Sequence, residues 1–189
     1  MTTEILKVVA SADDAEQGDS TVLVTASRGR LYQGSNAYSG HRWVPGSTIP
    51  KGSTIVSATL SVKFYSTDYD SLDADTYIAG ENGANPAQFT TASNDISSRS
   101  ETSTKISATV TDAGTDWVAY DVATIIQELA TAYAIQAVVL WVHDPTGNSV
   151  GAIVHYDGSA ANAARLDIEY NPPAGGIPRL ADYYRRMRT

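Results

Sequence analysis

The side chains that could perform chemistry in this chain are one serine in a glycine-flanked motif, three histidines and two groups of carboxylates. Ser149 is central in residues 147–151 (Gly-Asn-Ser-Val-Gly), which have the G-x-S-x-G spacing of a hydrolase nucleophile elbow. That elbow needs a helix after the serine, whereas residues 152–156 have the composition of a strand. We therefore interpret Ser149 as part of a hairpin tip and keep a serine hydrolase as a remote hypothesis.

The histidines and carboxylates are the candidate metal ligands. His41, His143 and His155 show no zinc-binding spacing such as HExxH, although the last two flank one predicted hairpin and could approach each other across it. The carboxylates that crowd two segments lack the glycine and the closing glutamate of a calcium loop. We therefore predict no cofactor and keep a structural calcium ion as the alternative. The carboxylates concerned are Asp68, Asp70, Asp73 and Asp75, and Asp13, Asp14, Glu16 and Asp19.

Enzymatic and sugar-stacking roles find little support in the pattern. Glycoside cleavage needs two acids held across a cleft, and no feature of the sequence selects two of its many acids. We therefore predict that the protein is not an enzyme. The 11 tyrosines and 3 tryptophans could form a sugar-stacking platform. However, Trp43, Trp117 and Trp141 lie in apolar strand patterns, so we predict core packing for all three.

Short strands would have to position these residues. Val56, Ala58, Leu60, Val62 and Phe64 alternate with polar residues, which predicts a strand over 55–65 with one face on a core. We interpret 11–19 as a loop and 81–104 as a long surface connection. The other predicted strands lie at 1–10, 21–25, 30–33, 40–44, 76–80, 106–110, 117–120, 138–142, 151–156 and 165–170.

One helix interrupts the strands. Asp121 is a suitable N-cap, and Val122, Ile125, Ile126 and Leu129 follow at i, i+3, i+4 and i+7, which predicts a helix at about 121–132. The continuous apolar run 138–142 is typical of a strand covered on both faces. Many short strands with one helix predict an all-β fold, an antiparallel β-sandwich or jelly roll over residues 1–171.

Composition excludes several classes. The 189 residues contain no cysteine, which excludes disulfides and thiolate-bound zinc. The net charge of −8 argues against nucleic acid as a partner, and no apolar run predicts a membrane span or an N-terminal signal peptide. The charge is uneven, because residues 172–189 carry +3 and residues 1–171 carry −11.

A set of ordered segments resembles a known family. The chain is similar to jelly-roll domains akin to carbohydrate-binding modules, of the DNRLRE type, found in bacterial surface proteins and tailed-phage virion proteins. The likeness covers about residues 8–171. Trp43 replaces the phenylalanine of a G-x-R-F pattern, which a core tolerates. Residues 133–137 replace a Trp-Gly-rich segment, so a ligand aromatic of the family could be missing here. The segments that carry the resemblance are 11–16, 40–43, 49–55, 57–60, 94–99 with Thr102, 125–128 and 165–170.

The resemblance implies a non-catalytic role in binding or scaffolding, and the C-terminal residues refine it. Residues 172–176 have a linker composition, and 177–189 form a basic, aromatic arm with apolar residues at helical spacing. We predict a virion component of a tailed bacteriophage, a capsid decoration or tail accessory protein, assembled in the host cytoplasm. Other virion proteins or further copies are its predicted partners, with a polysaccharide-binding module as the alternative. The predicted partner-binding residues are Ile177, Leu180, Tyr183, Tyr184, Arg185, Arg186 and Arg188.

Overall fold

The alternating segment predicted at 55–65 lies inside one sheet of the computed structural model, which describes residues 1–32 and 36–174. The described chain is 43% strand and 8% helix, which confirms the predicted all-β sandwich. In chain order the strands are β1 (Thr2–Lys7), β2 (Asp14–Gly18), β3 (Thr21–Leu23), β4 (Arg28–Arg30), β5 (Ala37–Trp43), β6 (Thr54–Lys63), β7 (Asp70–Ser71), β8 (Tyr77–Gly80), β9 (Ile106–Ser107), β10 (Trp117–Asp121), β11 (Val138–Asp144), β12 (Val150–Val154) and β13 (Arg165–Asn171).

The strands of residues 1–32 and 36–174 form three antiparallel sheets. A four-stranded sheet has the order β1-β13-β6-β10, and a six-stranded sheet has the order β3-β2-β5-β11-β8-β9. A small third sheet, β4-β12-β7, includes β4, which packs against β2 and β5. The inward side chains form one apolar core, which includes Trp43, Leu60, Phe64, Ile78, Leu140, Leu166 and Ile168.

The period of two holds along β6 except at Val56 and at Ser61, which was predicted to face water and is buried. Ala58, Leu60, Val62 and Phe64 are buried as predicted. Val56 is 49% exposed, so its predicted burial is wrong. The pairing of β6 with β13 shifts register at this point, because Glu169 faces Ser57 and Tyr170 faces Ile55. The extra residue of this β-bulge turns away from the core.

The predicted helix is present as α1 (Ala123–Ala132). Its N-cap residue is Val122, while the Asp121 carboxylate accepts a hydrogen bond from the Ala123 amide at 3.0 Å. The whole predicted apolar stripe is buried, and α1 packs against β6. No helix in the described residues is both long and apolar enough to cross a membrane.

Two predictions about connections are wrong. Residues 14–18 are not a loop but β2, which lies between β3 and β5. Strand β12 is not the hairpin partner of β11, because it pairs with β4 and β7 in the third sheet. The turn after β11 therefore carries the chain from one sheet to another, and local sequence does not show which partner a returning strand will take.

Candidate functional site

Four polar side chains meet between the six-stranded sheet and the third sheet; we call Asp14, Ser39, His41 and His155 the inner cluster. The Ser39 hydroxyl oxygen lies 3.2 Å from His41 Nε2 and 2.9 Å from His155 Nε2. Asp14 Oδ1 lies 3.9 Å from His155 Nδ1. Asp14 Oδ2 accepts a hydrogen bond from the Tyr156 amide at 2.7 Å. The order serine, imidazole, carboxylate is that of a hydrolase triad.

The inner cluster is closed to solvent. Asp14, Ser39, His41 and His155 are all 0% exposed. Gly29 of β4 lies directly against it, because a Cβ there would collide with Ser39 Oγ and His155 Nε2. A triad needs room for a reacting atom within about 3 Å of its nucleophile, and this arrangement leaves none beside Ser39.

Burial sets the protonation state of the inner cluster. Burial raises the pKa of Asp14 to about 8, with smaller upward effects from the charges of Asp157 and Asp13, against the lowering effect of the Tyr156 amide. Burial lowers the pKa of His41 to about 3. Burial, and then the charge of His41, lowers the pKa of His155 well below its usual value. At neutral pH both imidazoles are therefore uncharged, and the Asp14 carboxyl is mostly protonated.

On the opposite face of the same sheet, residues 81–104 form a strap. Phe89 and Ile96 are buried against Trp141, Tyr38 and Val139, in a second apolar cluster separate from the main core. The prediction of a long connection over the surface is confirmed. Trp141 is buried as predicted, although under the strap and not between the sheets.

Hydrogen bonds fix the strap. The Gln17 side-chain oxygen accepts from the amides of Ile96 and Ser97 at 2.9 and 3.0 Å. Arg99 pairs with Glu81 at 2.6 Å and with Asp95 at 3.1 Å, and its guanidinium carbon lies 4.6 Å from the Phe89 ring centroid. Because its donors are also bonded to strap carbonyls, Arg99 ties the segment to itself.

A cleft of about 170 Å³ opens between the strap and the sheet; we call it the outer cleft. Glu101 Oε1 accepts from the Tyr77 hydroxyl at 3.1 Å and from Trp141 Nε1 at 3.3 Å, and Glu101 pairs with Lys105 at 2.6 Å. Its lining is Tyr38, Tyr77, Ile96, Ser97, Arg99, Glu101 and Trp141. Aromatic rings with convergent polar groups are the usual make-up of a small-ligand site.

Tyr38 and His143 form the floor beside this cleft. Their rings stack with centroids 3.9 Å apart, and the Tyr77 hydroxyl lies 2.7 Å from His143 Nδ1. Burial raises the pKa of Tyr38 to about 12 and lowers that of His143 to about 4. At neutral pH the Tyr38 hydroxyl is therefore protonated and His143 is uncharged.

The structure places the predicted chemical residues apart from one another. Ser149 is buried, and its hydroxyl accepts from the Asp73 amide at 3.0 Å and bonds to Thr76 Oγ1 at 2.8 Å. A strand follows it, so the elbow geometry is not formed. The contact between His143 and His155 that a hairpin would have allowed is not formed: His155 meets His41, with ring centroids 5.3 Å apart, and His143 stacks on Tyr38.

The predicted carboxylate groups are dispersed. Asp13 pairs with Arg42 at 2.8 Å, Glu16 pairs with Arg30, and Asp70 Oδ2 accepts from the Gly114 amide at 2.8 Å. Within residues 1–32 and 36–174, no three histidine, aspartate or glutamate side chains come close enough to share a metal ion.

The predicted burial of the tryptophans is only partly correct, and the predicted arm is not among the described residues. Trp43 is buried as predicted, whereas Trp117 is 44% exposed on the edge strand β10, so its predicted burial is wrong. The predicted partner-binding residues Ile177, Leu180, Tyr183, Tyr184, Arg185, Arg186 and Arg188 lie outside the described residues.

Sequence reasoning missed Ser39 and Glu101. Ser39 stands two residues before His41, and in a strand this spacing puts both side chains on one face. That spacing was the available signal. The sequence around Glu101 does not indicate a site, because its partners Tyr77 and Trp141 come from β8 and β11.

Comparison with known proteins adds no family. No protein-family model matches the chain, and no curated protein sequence matches it significantly.

Proposed function

We propose that the protein is a non-enzymatic structural and binding protein, a virion component of a tailed bacteriophage that decorates the capsid or belongs to the tail apparatus. Its arm, residues 177–189, docks on neighbouring virion proteins or on further copies of the chain. The support comes from the resemblance of residues 8–171, from the charge contrast between arm and body, and from the position of the last strand.

The position of β13 carries this proposal. β13 pairs with β1 from Arg165 to Tyr170 on one side and with β6 from Arg165 to Asn171 on the other. The linker begins immediately after this strand, and Pro173 lies next to Gly52. A pulling force on the arm would therefore be resisted by the hydrogen bonds of β13 to both β1 and β6, which suits an attachment point. An edge strand would share it with only one.

The two candidate serine nucleophiles support the proposal that the protein is not an enzyme, because neither has a hydroxyl free to attack a substrate. Ser39 is 0% exposed under Gly29, and the Ser149 hydroxyl is held by Asp73 and Thr76. Exchanging Ser149 for Ala tests the remote hydrolase hypothesis. Loss of a measurable esterase activity in this variant would overturn the non-enzymatic assignment.

Deletion tests the anchor. We expect a chain lacking residues 174–189 to fold, with an unchanged circular dichroism spectrum, but to be lost from purified particles. Exchanging Arg185, Arg186 and Arg188 for Ser should lower incorporation most clearly at low salt, because ions screen charge pairs at higher salt. Arg165→Ser, on the exposed face of β13, is the matched control and should incorporate normally. Normal incorporation of the deleted chain would reject the arm as the anchor.

The outer cleft favours a polysaccharide-binding module as the second candidate. It combines tyrosine rings with the Glu101 carboxylate and the Tyr38 hydroxyl, groups that can stack on and hydrogen-bond to a sugar. Affinity electrophoresis in polysaccharide gels tests it. We expect Tyr38→Phe to reduce retardation and Tyr133→Phe, a half-buried tyrosine beyond α1, to leave it unchanged. No retardation by any polysaccharide would remove this candidate.

A further inference from the structure

The inner cluster contains buried polar atoms that have no hydrogen-bond partner in the described residues. These are Asp14 Oδ1, His41 Nδ1 and His155 Nδ1. A buried polar group without a partner costs about 1–3 kcal/mol. Such a site is a weak point in the packing, because opening it to water would satisfy all three atoms.

The inner cluster joins two separate sheets. Asp14 belongs to β2, and Ser39 and His41 belong to β5, all in the six-stranded sheet. His155 directly follows β12 of the third sheet, and its amide donates to the Ser27 carbonyl at 3.2 Å, just before β4. The Ser39–His155 hydrogen bond therefore connects the third sheet to the six-stranded sheet.

The Ser39 hydroxyl constrains the two imidazoles that flank it. It carries one proton, so it donates to one Nε2 atom and accepts from the other. This chain of two hydrogen bonds, from one imidazole through Ser39 to the other, is complete when both imidazoles are neutral. A second proton on either ring would put a charge into a site that is 0% exposed. On the ring whose Nε2 accepts from Ser39, it would also replace that acceptor with a donor.

Few countercharges are available nearby. Asp13 and Asp157 act on Asp14 through their charges, and the Glu16–Arg30 pair joins β2, which carries Asp14, to β4, which carries Gly29. Asp13 is paired with Arg42, and the Asp157 carboxylate accepts from Ser11. On β11, apolar Leu140 and Val142 lie opposite His41 and Ser39, and Trp43 neighbours His41.

We propose that the inner cluster is a proton-controlled latch, which holds the third sheet on the six-stranded sheet near neutral pH and releases it on acidification. Opening lets His41 and His155 take up protons, which favours the open form as pH falls. Opening also lets Asp14 lose its proton, which favours the closed form as pH falls and the open form as pH rises. Two histidines outweigh one aspartate, so acid opens the latch. This inference is independent of the proposed function.

Hydrogen exchange measured on the full chain tests the latch. The reporter amides belong to the third sheet and its contacts: Leu31, which donates to Gly151, Tyr65, which donates to Ala152, and His155. Exchange is divided by the intrinsic rate at each pH, and Leu60 and Leu166 in the four-stranded sheet serve as references. Linkage predicts an opening constant about 30-fold larger at pH 4.5 than at pH 6.5 for the reporters, above any change in the references.

Variants separate the two kinds of group. Asp14→Asn removes the group whose titration opposes opening in acid, so the increase between pH 6.5 and 4.5 should grow to roughly 2,500-fold, or to the limit of global unfolding. Exchanging both His41 and His155 for Gln should abolish the acid increase. His143→Gln is the matched control, because His143 is a buried histidine on the outer face, and this variant should keep the response.

Three results would overturn the latch. They are equal reporter protection at pH 6.5 and 4.5, a change that the reference amides share in full, and an unaltered profile in Asp14→Asn. If the double histidine variant does not fold, the profiles of the unchanged chain and of Asp14→Asn still decide the question.

Discussion

The inner and outer faces of the six-stranded sheet place their polar side chains under different conditions. On the inner face, Asp14, Ser39, His41 and His155 are sealed, and three of their polar atoms have no partner in the described chain. On the outer face, Glu101 binds Tyr77, Trp141 and Lys105 beside a cleft. Alternation along the same strands produces both faces, since Ser39 points inward and Tyr38 outward.

The two faces accommodate buried polar groups in different ways. The outer network lies beside an open cleft, and Glu101 and Lys105 are partly exposed, so it combines hydrogen bonds with partial access to water. The inner cluster has no such cover, and the protonation states of its own residues must adapt. Four substitutions test this contrast.

The largest effect is expected under the strap. Phe89→Ala removes a ring that is 2% exposed and packed on the outer face, and should lower the free energy of unfolding by about 4 kcal/mol. Urea denaturation measures it. Thr91→Ala, an exposed strap position, is the control. A loss below about 1 kcal/mol would show that the strap contributes little to the fold.

The inner face should respond next, to a single added methyl group. Gly29→Ala places a Cβ into Ser39 and His155 and should cost about 3 kcal/mol. Gly83→Ala is the control, because the nearest atom to its new Cβ is 4.0 Å away. Equal melting temperatures for the two variants would contradict the close packing of β4 on the inner cluster.

Alkaline pH should weaken the inner face through Asp14. Its pKa is about 8 in the folded chain and near 3.8 when unfolded, so its stabilising contribution is complete below pH 3.8 and is lost as pH rises towards 8. Between pH 7 and 8 the contribution of Asp14 to the free energy of unfolding should fall by about 1 kcal/mol, while the unfolded histidines, which lose their remaining protons over this range, act in the opposite direction. Denaturation at both pH values should therefore show a change that is about 1 kcal/mol more destabilising in the unchanged chain than in Asp14→Asn.

The smallest effect is expected at the outer network. Tyr77→Phe removes a hydroxyl that bonds to Glu101 and His143, and should cost about 1 kcal/mol, because water can reach the half-buried carboxylate. Thermal melts compare it with Tyr133→Phe. A cost equal to that of Gly29→Ala would mean that the outer face is as closed as the inner one.

Much of the fold was predictable because it depends on local periodicity. The helix stripe at Val122, Ile125, Ile126 and Leu129 and the buried run 138–142 were correct, since burial of every second or every third to fourth residue leaves a direct pattern. Residues 14–18 were misjudged as a loop, since their carboxylates find partners only in distant segments. Asp14, for example, accepts from the Tyr156 amide.

The candidate sites were largely hidden for the same reason. His41 and His155 are 114 positions apart in the printed sequence, and only the packing of the third sheet on β5 brings them together. Glu101 reaches Trp141 only because the strap crosses the sheet. The exposure of Trp117 follows from the edge position of β10, which strand composition does not reveal.

The amino-acid sequence by itself determined the class of fold, the strand faces and the helix, because each depends on side chains a few positions apart. Tertiary structure alone decided which strands pair, which polar groups are sealed and which remain accessible. Those outcomes depend on contacts between residues far apart in the chain, and burial, not residue type, sets the protonation of Asp14 and the two imidazoles beside Ser39.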